Sequence, residues 1–301
     1  MKRTLLFCLA ALLGLSAFTQ TSKLENTLLW RISGNGLKQP SYLFGTIHLL
    51  CSDDIQLSDS LKSAITHCDK VYLELDMDNL IELISVVNKM KMNGDTTLAD
   101  LLTKDEYKKV KDFFTNQRSM IPFSMLETYK PMLAASTLMQ SSMDCDNAIA
   151  MEQLIMQEAK RENKRIKGLE TMAFQISIFD SIPYQIQARQ LLKYVEDYGK
   201  KDDKAFEELT KAYRAQELTK LEELTLQEDS GVDKFTDVML YNRNADWVRK
   251  MQKLMGEQAL VVAVGAGHLP GEKGVINLLR KAGYKVEPVK NEMIKKKTKE
   301  I

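Results

Sequence analysis

The sequence predicts an α/β fold with α+β character: one sheet built from both ends of the mature chain, and a large helical insertion in the middle. Three observations predict it. Apolar, β-rich runs of strand length gather at residues 27–76 and 259–289, and helical periodicity dominates from Asn79 to Gly256. No internal repeat and no Pro/Gly/Ser-rich linker divides the chain, so residues 21–301 read as one domain with its core at 28–289 and its helical middle at 79–256.

The elements follow in order. Lys2 and Arg3 precede an apolar run from Leu5 to Leu15, and Ser16, Ala17 and Thr19 come next. A basic start, a short apolar centre and small residues make a secretory signal peptide of residues 1–20 and an exported protein, periplasmic or extracellular. The run is shorter than the roughly 20 residues of a membrane span, and no later stretch is long and apolar enough. Cys8 leaves with this leader. Cys51, Cys68 and Cys145 stay, and Cys51 and Cys68 either pair across one helix or remain free thiols.

Thr27–Ile32 and Ser41–Thr46 are strands around Ser33-Gly34-Asn35-Gly36, a hairpin turn. A short helix over Ser58–His67 leads into a strand, Lys70–Asp76, where Val71, Leu73 and Leu75 alternate with Tyr72, Glu74 and Asp76. In the middle, Leu80, Leu83, Ile84 and Val87 form one apolar stripe, and Thr103-Lys104-Asp105-Glu106 is a capping box. Ile149–Arg161 is an amphipathic helix ahead of a short strand at Arg165–Gly168. The tract Ala173–Gln227, broken near Pro183 and Lys200, is rich in Lys and Glu and reads as a solvated outer layer. Ala259–Val264 is a continuous apolar strand, Gly274–Ala282 a helix closed by Gly283, and Tyr284–Val289 a last strand.

A hydrophobic fraction of 44% with 28% charged residues describes a soluble globular chain. Its net charge of +1 gives no electrostatic case for nucleic acid as a partner.

Of the three histidines, His48 and His268 stand in the same setting: directly after an apolar strand and three residues past a glycine, Gly45 and Gly265. Strand ends are where ligands bind in α/β sheets, glycine allows close backbone approach there, and a neutral imidazole serves as metal ligand or acid/base. The repeated setting points to one shared site; capping or core histidines are the plainer reading of either alone. Glu74 lies within an apolar strand, where an unpaired charge costs several kcal/mol; either it is paired or metal-bound, or it faces solvent. Glu170 sits at a strand end or in the first turn of a helix. Two histidines with one or two carboxylates suit a divalent metal such as Zn, Mn or Co. Arg243 and Asn244 either hold an oxyanion or substrate carboxylate or are ordinary helix surface. No Gly-x-Ser-x-Gly elbow is present, and Gly265-Ala266-Gly267 reaches Pro270 where a dinucleotide fingerprint needs glycine.

Gly45-Thr46-Ile47-His48, Glu74, Gly168-Leu169-Glu170-Thr171, Arg243-Asn244 with Trp247, and Gly265-Ala266-Gly267-His268-Leu269 together resemble the TraB/PrgY/GumN family, which includes the TIKI proteins. The resemblance covers Leu28 to Val289. It implies an α/β fold with a helical middle and a metal-dependent protease, with His48, Glu74 and His268 as metal ligands or catalytic groups and Arg243 and Asn244 at further motif positions. Glu152 stands where bacterial relatives usually carry Asp.

The expected function is an exported metal-dependent hydrolase, peptidase-like, with a peptide or protein substrate. Catalysis falls to His48, Glu74, His268, Arg243 and Asn244, and the metal to His48, Glu74, His268 and Glu170. The alternatives are a protein that sequesters a peptide or small ligand such as haem, and an envelope structural protein.

Overall fold

The computed structural model describes residues 25–51, 55–116, 121–141, 148–198, 204–226 and 233–294. The signal-peptide reading and Cys145 lie outside the described residues. Gly34, Asn35 and Gly36 all take positive φ, the backbone that a tight turn requires. They fold β1 (Leu29–Ser33) back onto β2 (Ser41–Thr46), with Leu29 opposite Phe44 and Ile32 opposite Ser41.

β3 (Leu50–Cys51) pairs only with β5 (Ala148–Ile149). β4 (Lys70–Leu75), β6 (Arg165–Glu170), β7 (Leu260–Gly265) and β8 (Lys285–Val289) join β1 and β2 in a six-stranded sheet of order β6-β4-β7-β2-β1-β8. The four strands β6, β4, β7 and β2 run parallel, and β1 is antiparallel to both β2 and β8. β7 lies between β4 and β2, and Leu260 to Val264 are all buried. A continuous apolar run is the sequence of a strand covered on both faces, so β7 fits only a central position.

Both ends of the chain feed this sheet, as expected, but the middle contributes more than helices. Arg165–Glu170 is a full parallel strand beside β4 rather than a four-residue fragment, and it carries Glu170 to the sheet edge. The helix expected from Ile149 begins at Met151, because Ile149 pairs with Leu50. Two residues of the apolar stripe, Ile84 and Val87, face solvent. The helix there, Leu80–Ser85, stops after six residues. The capping box does form: Thr103 N–H donates to Glu106 Oε2 at 2.8 Å, and Glu106 N–H to Thr103 Oγ1 at 3.4 Å.

Two apolar clusters result. One covers the sheet, and the other gathers Leu98, Val110, Phe114, Leu126, Ala188 and Leu191 from the helical middle. The solvated layer expected over Ala173–Gln227 divides between them. Tyr213, Leu218 and Leu221, from helices Lys204–Arg214 and Leu218–Leu226, are buried in the sheet cluster. Cys68 is a buried free thiol whose Sγ donates to Ile65 O at 3.2 Å, so the free-thiol alternative holds for it. Among the described residues, no helix is long and apolar enough to cross a membrane.

Candidate active site

The four parallel strands deliver their chemistry at one edge, beyond their C-terminal ends. Thr46 pairs with Gly265 at the ends of β2 and β7, and Leu75 with Glu170 at the ends of β4 and β6. The two Gly-x-x-His turns are in contact through their glycines. A Cβ on Gly45 would come within 3.1 Å of Ala266 and Leu269 in the other turn. A Cβ on Gly265 would come within 3.3 Å of Glu74 Oε1, where the Gly265 N–H donates at 2.8 Å. Hydrogen at these two positions lets the turns close on one another and on a carboxylate.

His268 lies in the short 3-10 turn Ala266–His268 and is 6% exposed. Its ring centroid is 4.5 Å from that of Trp247. Its Nδ1 is 2.6 Å from Asn244 Oδ1, and the Asn244 amide nitrogen donates to Lys273 O at 2.9 Å. An amide oxygen only accepts, so Nδ1 carries the proton and Nε2 is left with its lone pair. That lone pair faces Arg243 Nη1 at 3.3 Å and Glu74 Oε1 at 4.0 Å. Burial, joined by the charges of Arg243 and His48, outweighs the pull of Glu74 and lowers the His268 pKa to about 4, so the ring is neutral near pH 7.

Glu74 is buried, and burial alone would raise its pKa. The positive charges of His268, Arg243 and His48 and the Gly265 N–H outweigh that and hold it at about 2. With His268 neutral near pH 7, Arg243 is the strong partner there: Nη2 donates to Glu74 Oε2 at 2.7 Å. The Glu74 Oε2 atom also accepts from Gln175 at 3.1 Å.

Arg243 and Asn244 enter helix Asn242–Glu257 straight from a π turn, Asp237–Tyr241, and both are buried; the helix-surface reading fails for each. Met239 in that π turn accepts from Arg243 Nη1 at 2.9 Å. Glu170 accepts from Arg243 Nε at 3.0 and 3.1 Å and from Nη2 at 2.9 Å, so both its oxygens are taken by one guanidinium. The guanidinium carbon also stands 4.7 Å from the Trp247 ring centre. One cation thus balances two buried carboxylates, the arrangement in which Arg outperforms Lys.

His48 contrasts with all of this. Its side chain is 73% exposed, and Nδ1 meets Glu152 Oε1 at 2.8 Å. The hydrogen bond to Glu152, against some loss from burial and with help from the charges of Glu152 and Glu74, raises its pKa to about 9. Glu152 is buried and also accepts from Thr46 Oγ1 at 2.6 Å. Tyr213 O–H donates to Gly45 O at 2.9 Å and fastens the outer helices to the same turn.

The structure therefore brings His48, Glu74, Glu170, Arg243, Asn244 and His268 to one sheet edge. Sequence reasoning passed over Gln175 and Tyr213, and noted Glu152 without a role. A tyrosine alone in the Lys/Glu-rich stretch 201–227 was the one available signal, since solvated helix faces rarely need one.

A profile of the TraB/PrgY/gumN family matches residues 28–288, a span that takes in both turns, the glutamates and Arg243. The chain belongs to the TraB/PrgY/gumN family. Relatives with curated descriptions include the metalloprotease TIKI2 of Danio rerio, 23% identical over 87% of this chain and 61% of its own length. Metalloprotease TIKI2 of Xenopus tropicalis is 24% identical over 87% and 60%, and metalloprotease TIKI1 of Homo sapiens 23% over 87% and 62%. The family chain described here thus spans about three-fifths of these relatives' length. No solved structure matches it at a significant level.

The donor set can be weighed against a divalent ion on its chemistry. A neutral imidazole with a bare Nε2 faces an ionised carboxylate oxygen 4.0 Å away, wider than the roughly 3.3 Å between two tetrahedral ligands with bonds of about 2 Å, so a small approach would let both hold one ion. Glu152 Oε2 is buried and has no partner among the described residues, a further acceptor awaiting a positive or donating group. Against this, Arg243 presses on the same Nε2, and no ready-made cluster of three or more His, Cys, Asp or Glu exists among the described residues. The described donors suited to an ion are thus His268 Nε2 and Glu74 Oε1, with His48 at the same sheet edge as the third group of the motif pair. Glu170 fits less well as a ligand than as the anchor of Arg243.

Proposed function

We propose that this TraB/PrgY/gumN-family protein is an exported, metal-dependent hydrolase that cleaves peptide bonds. One observation carries the reading: a buried, neutral His268 whose Nε2 lone pair faces an ionised Glu74 across 4.0 Å, beside a clamped guanidinium. Such a cluster serves no packing purpose. Exchanging a buried ion group of this kind for apolar residues is often neutral or stabilising, so its presence is better explained by chemistry. The names of the TIKI relatives support a protease, and the leader read from Lys2, Arg3 and Leu5–Leu15 supports export.

A divalent ion held by His268, Glu74 and His48 would supply Lewis acidity and a water acidic enough to attack near neutral pH. The chain's own residues do the rest. Asn244 holds the His268 ring in the tautomer that leaves Nε2 bare. Glu74, ionised in the resting site and anchored by Arg243 and Gln175 through Oε2, turns Oε1 toward the His268 Nε2 as the second donor. Glu170 takes Arg243 Nε and Nη2 and fixes the guanidinium, so that Nη1, 3.3 Å from the imidazole, is the donor placed for the oxygen that gains charge. Both ends of the Asn244 amide are already engaged, which makes it an orienting group, whereas the Arg243 Nη1 proton directed at Nε2 is released for the oxyanion once that nitrogen holds an ion.

The test is metal analysis of the purified protein together with digestion of a peptide library, with and without chelator. Cleavage that chelator stops, and that His48→Ala and His268→Ala lose, is expected. A protein that takes up no divalent ion and cleaves equally well as either variant overturns the proposal; uptake of intact peptide would point to capture instead.

A further inference from the structure

Glu152 is a costly side chain to bury. It occupies the first turn of helix Met151–Arg161 and is buried, with side-chain exposure of 9%. A carboxylate in that place gains from the helix dipole, but a surface position would gain the same without desolvation. No Lys or Arg among the described residues pairs with it. Its hydrogen-bond partners both belong to the His48 turn: Thr46 Oγ1 at 2.6 Å and His48 Nδ1 at 2.8 Å, both on Oε1, while Oε2 is left without one. The backbone repeats the connection, since Met151 N–H donates to Ile47 O at 3.1 Å. The helix start and the histidine turn thus form one rigid unit, with the carboxylate at its centre.

We propose that Glu152 is the positioning residue of His48: by accepting the Nδ1–H it fixes the rotation of an otherwise exposed ring through that nitrogen and so leaves Nε2 as the one open to the site. The argument is chemical. A surface imidazole rotates freely and divides its proton between two nitrogens, so a ring used for ligation or proton transfer needs a fixed acceptor on one of them. His268 obtains this from Asn244, deep in the core. His48 has no core around it, and Glu152 supplies from below what packing cannot supply from the side. Thr46 in turn donates to Glu152 and holds the carboxylate against rotation. A carboxylate acceptor also makes its imidazole a better electron-pair donor than an amide does, so the two histidines of the motif pair are unequal by construction. For what His48 does, the inference rests on the proposed hydrolase; for how the ring is held, it does not.

The test therefore has two arms. With 15N-labelled histidine at one neutral pH, the chain's three histidines give three ring systems, and long-range proton–nitrogen correlations show which nitrogen of each carries the hydrogen-bonded proton. We expect a protected Nδ1–H on His48 in the wild type. Glu152→Leu should remove it and leave His48 with the averaged signals of a freely rotating imidazole, with His268 and the Ser63-bonded His67 unmoved. Glu152→Gln keeps the shape and stands in should Glu152→Leu fail to fold; it should weaken the signal and move it toward that of the amide-bound His268. His48 signals unchanged in the folded variant overturn the proposal whatever the protein cleaves. In the peptidase assay, Glu152→Gln should lower kcat about 10- to 100-fold with little change in KM, and Glu152→Asp should restore part of it. A loss confined to KM, or no rescue by Asp beyond the Gln level, counts against positioning.

Discussion

The two Gly-x-x-His turns share a pattern and sit at the ends of adjacent parallel strands, yet they hold their histidines in opposite states. His268 is buried, bonded to a neutral amide and uncharged near pH 7; His48 is exposed, bonded to a carboxylate and cationic. The motif sets where each ring sits. What each ring can do is set by the group on its Nδ1 and by the amount of protein around it, and those come from distant segments: helix Asn242–Glu257 for one, Met151–Arg161 for the other.

The comparison can be broken most severely at Arg243, which neutralises the inner half. Arg243→Met should cost about 3–5 kcal/mol in denaturant unfolding, because Glu74 and Glu170 would be left buried without their cation. A loss under about 1 kcal/mol would mean that water reaches both carboxylates. Next comes the amide: Asn244→Ala should cut metal affinity or peptidase activity about 10- to 100-fold by freeing the His268 tautomer. Isothermal titration with Mn or Zn checks this, and an unchanged affinity would remove Asn244 from the site.

The pH dependence of stability should sharpen the contrast. The folded protein binds fewer protons than the unfolded chain at His268 between pH 6.5 and about 4, and at Glu74 between pH 4.5 and about 2. Stability from the inner half therefore falls as the solution is acidified through these windows. At His48 the sign reverses: the folded state binds more protons, and its contribution is full below pH 6.5 and disappears as pH rises through about 9. Thermal melts of wild type, His48→Ala and His268→Ala across pH 4–10 should show the two differences sloping in opposite directions. Equal slopes would mean that the two environments are alike. The smallest expected effect is at Cys68. Burial lifts its thiol to about 11, so site-resolved alkylation at pH 8 should leave it unmodified until the protein unfolds.

Much of this was legible beforehand. Hairpin, central strand and capping box were visible because each depends on neighbours in sequence: positive-φ residues in a row, an unbroken apolar run, a Thr three residues before a Glu. The pairing of His48 with His268 was legible too, because rarity and repetition survive without a structure. The exposure of Ile84 was not, since periodicity marks a helical face without saying that anything covers it. Nor were the allegiances of the carboxylates. Glu74 and Glu170 look alike at two strand ends, but one faces an imidazole and the other wraps a guanidinium, a distinction made by a helix some seventy residues further on. Tyr213 escaped for a related reason: its hydroxyl hydrogen bond reaches back to residue 45.

The position of β7 has a temporal consequence. It separates β4 from β2, so the parallel pair β6-β4 and the hairpin β1-β2 join into one sheet only once residues 260–265 exist. The histidine and carboxylate of the first half of the chain wait, unassembled, for the last fifth to be synthesised. A chain stopped short of Leu260 can set Glu74 beside Glu170 through β4 and β6, but it has no strand to carry His48 to them.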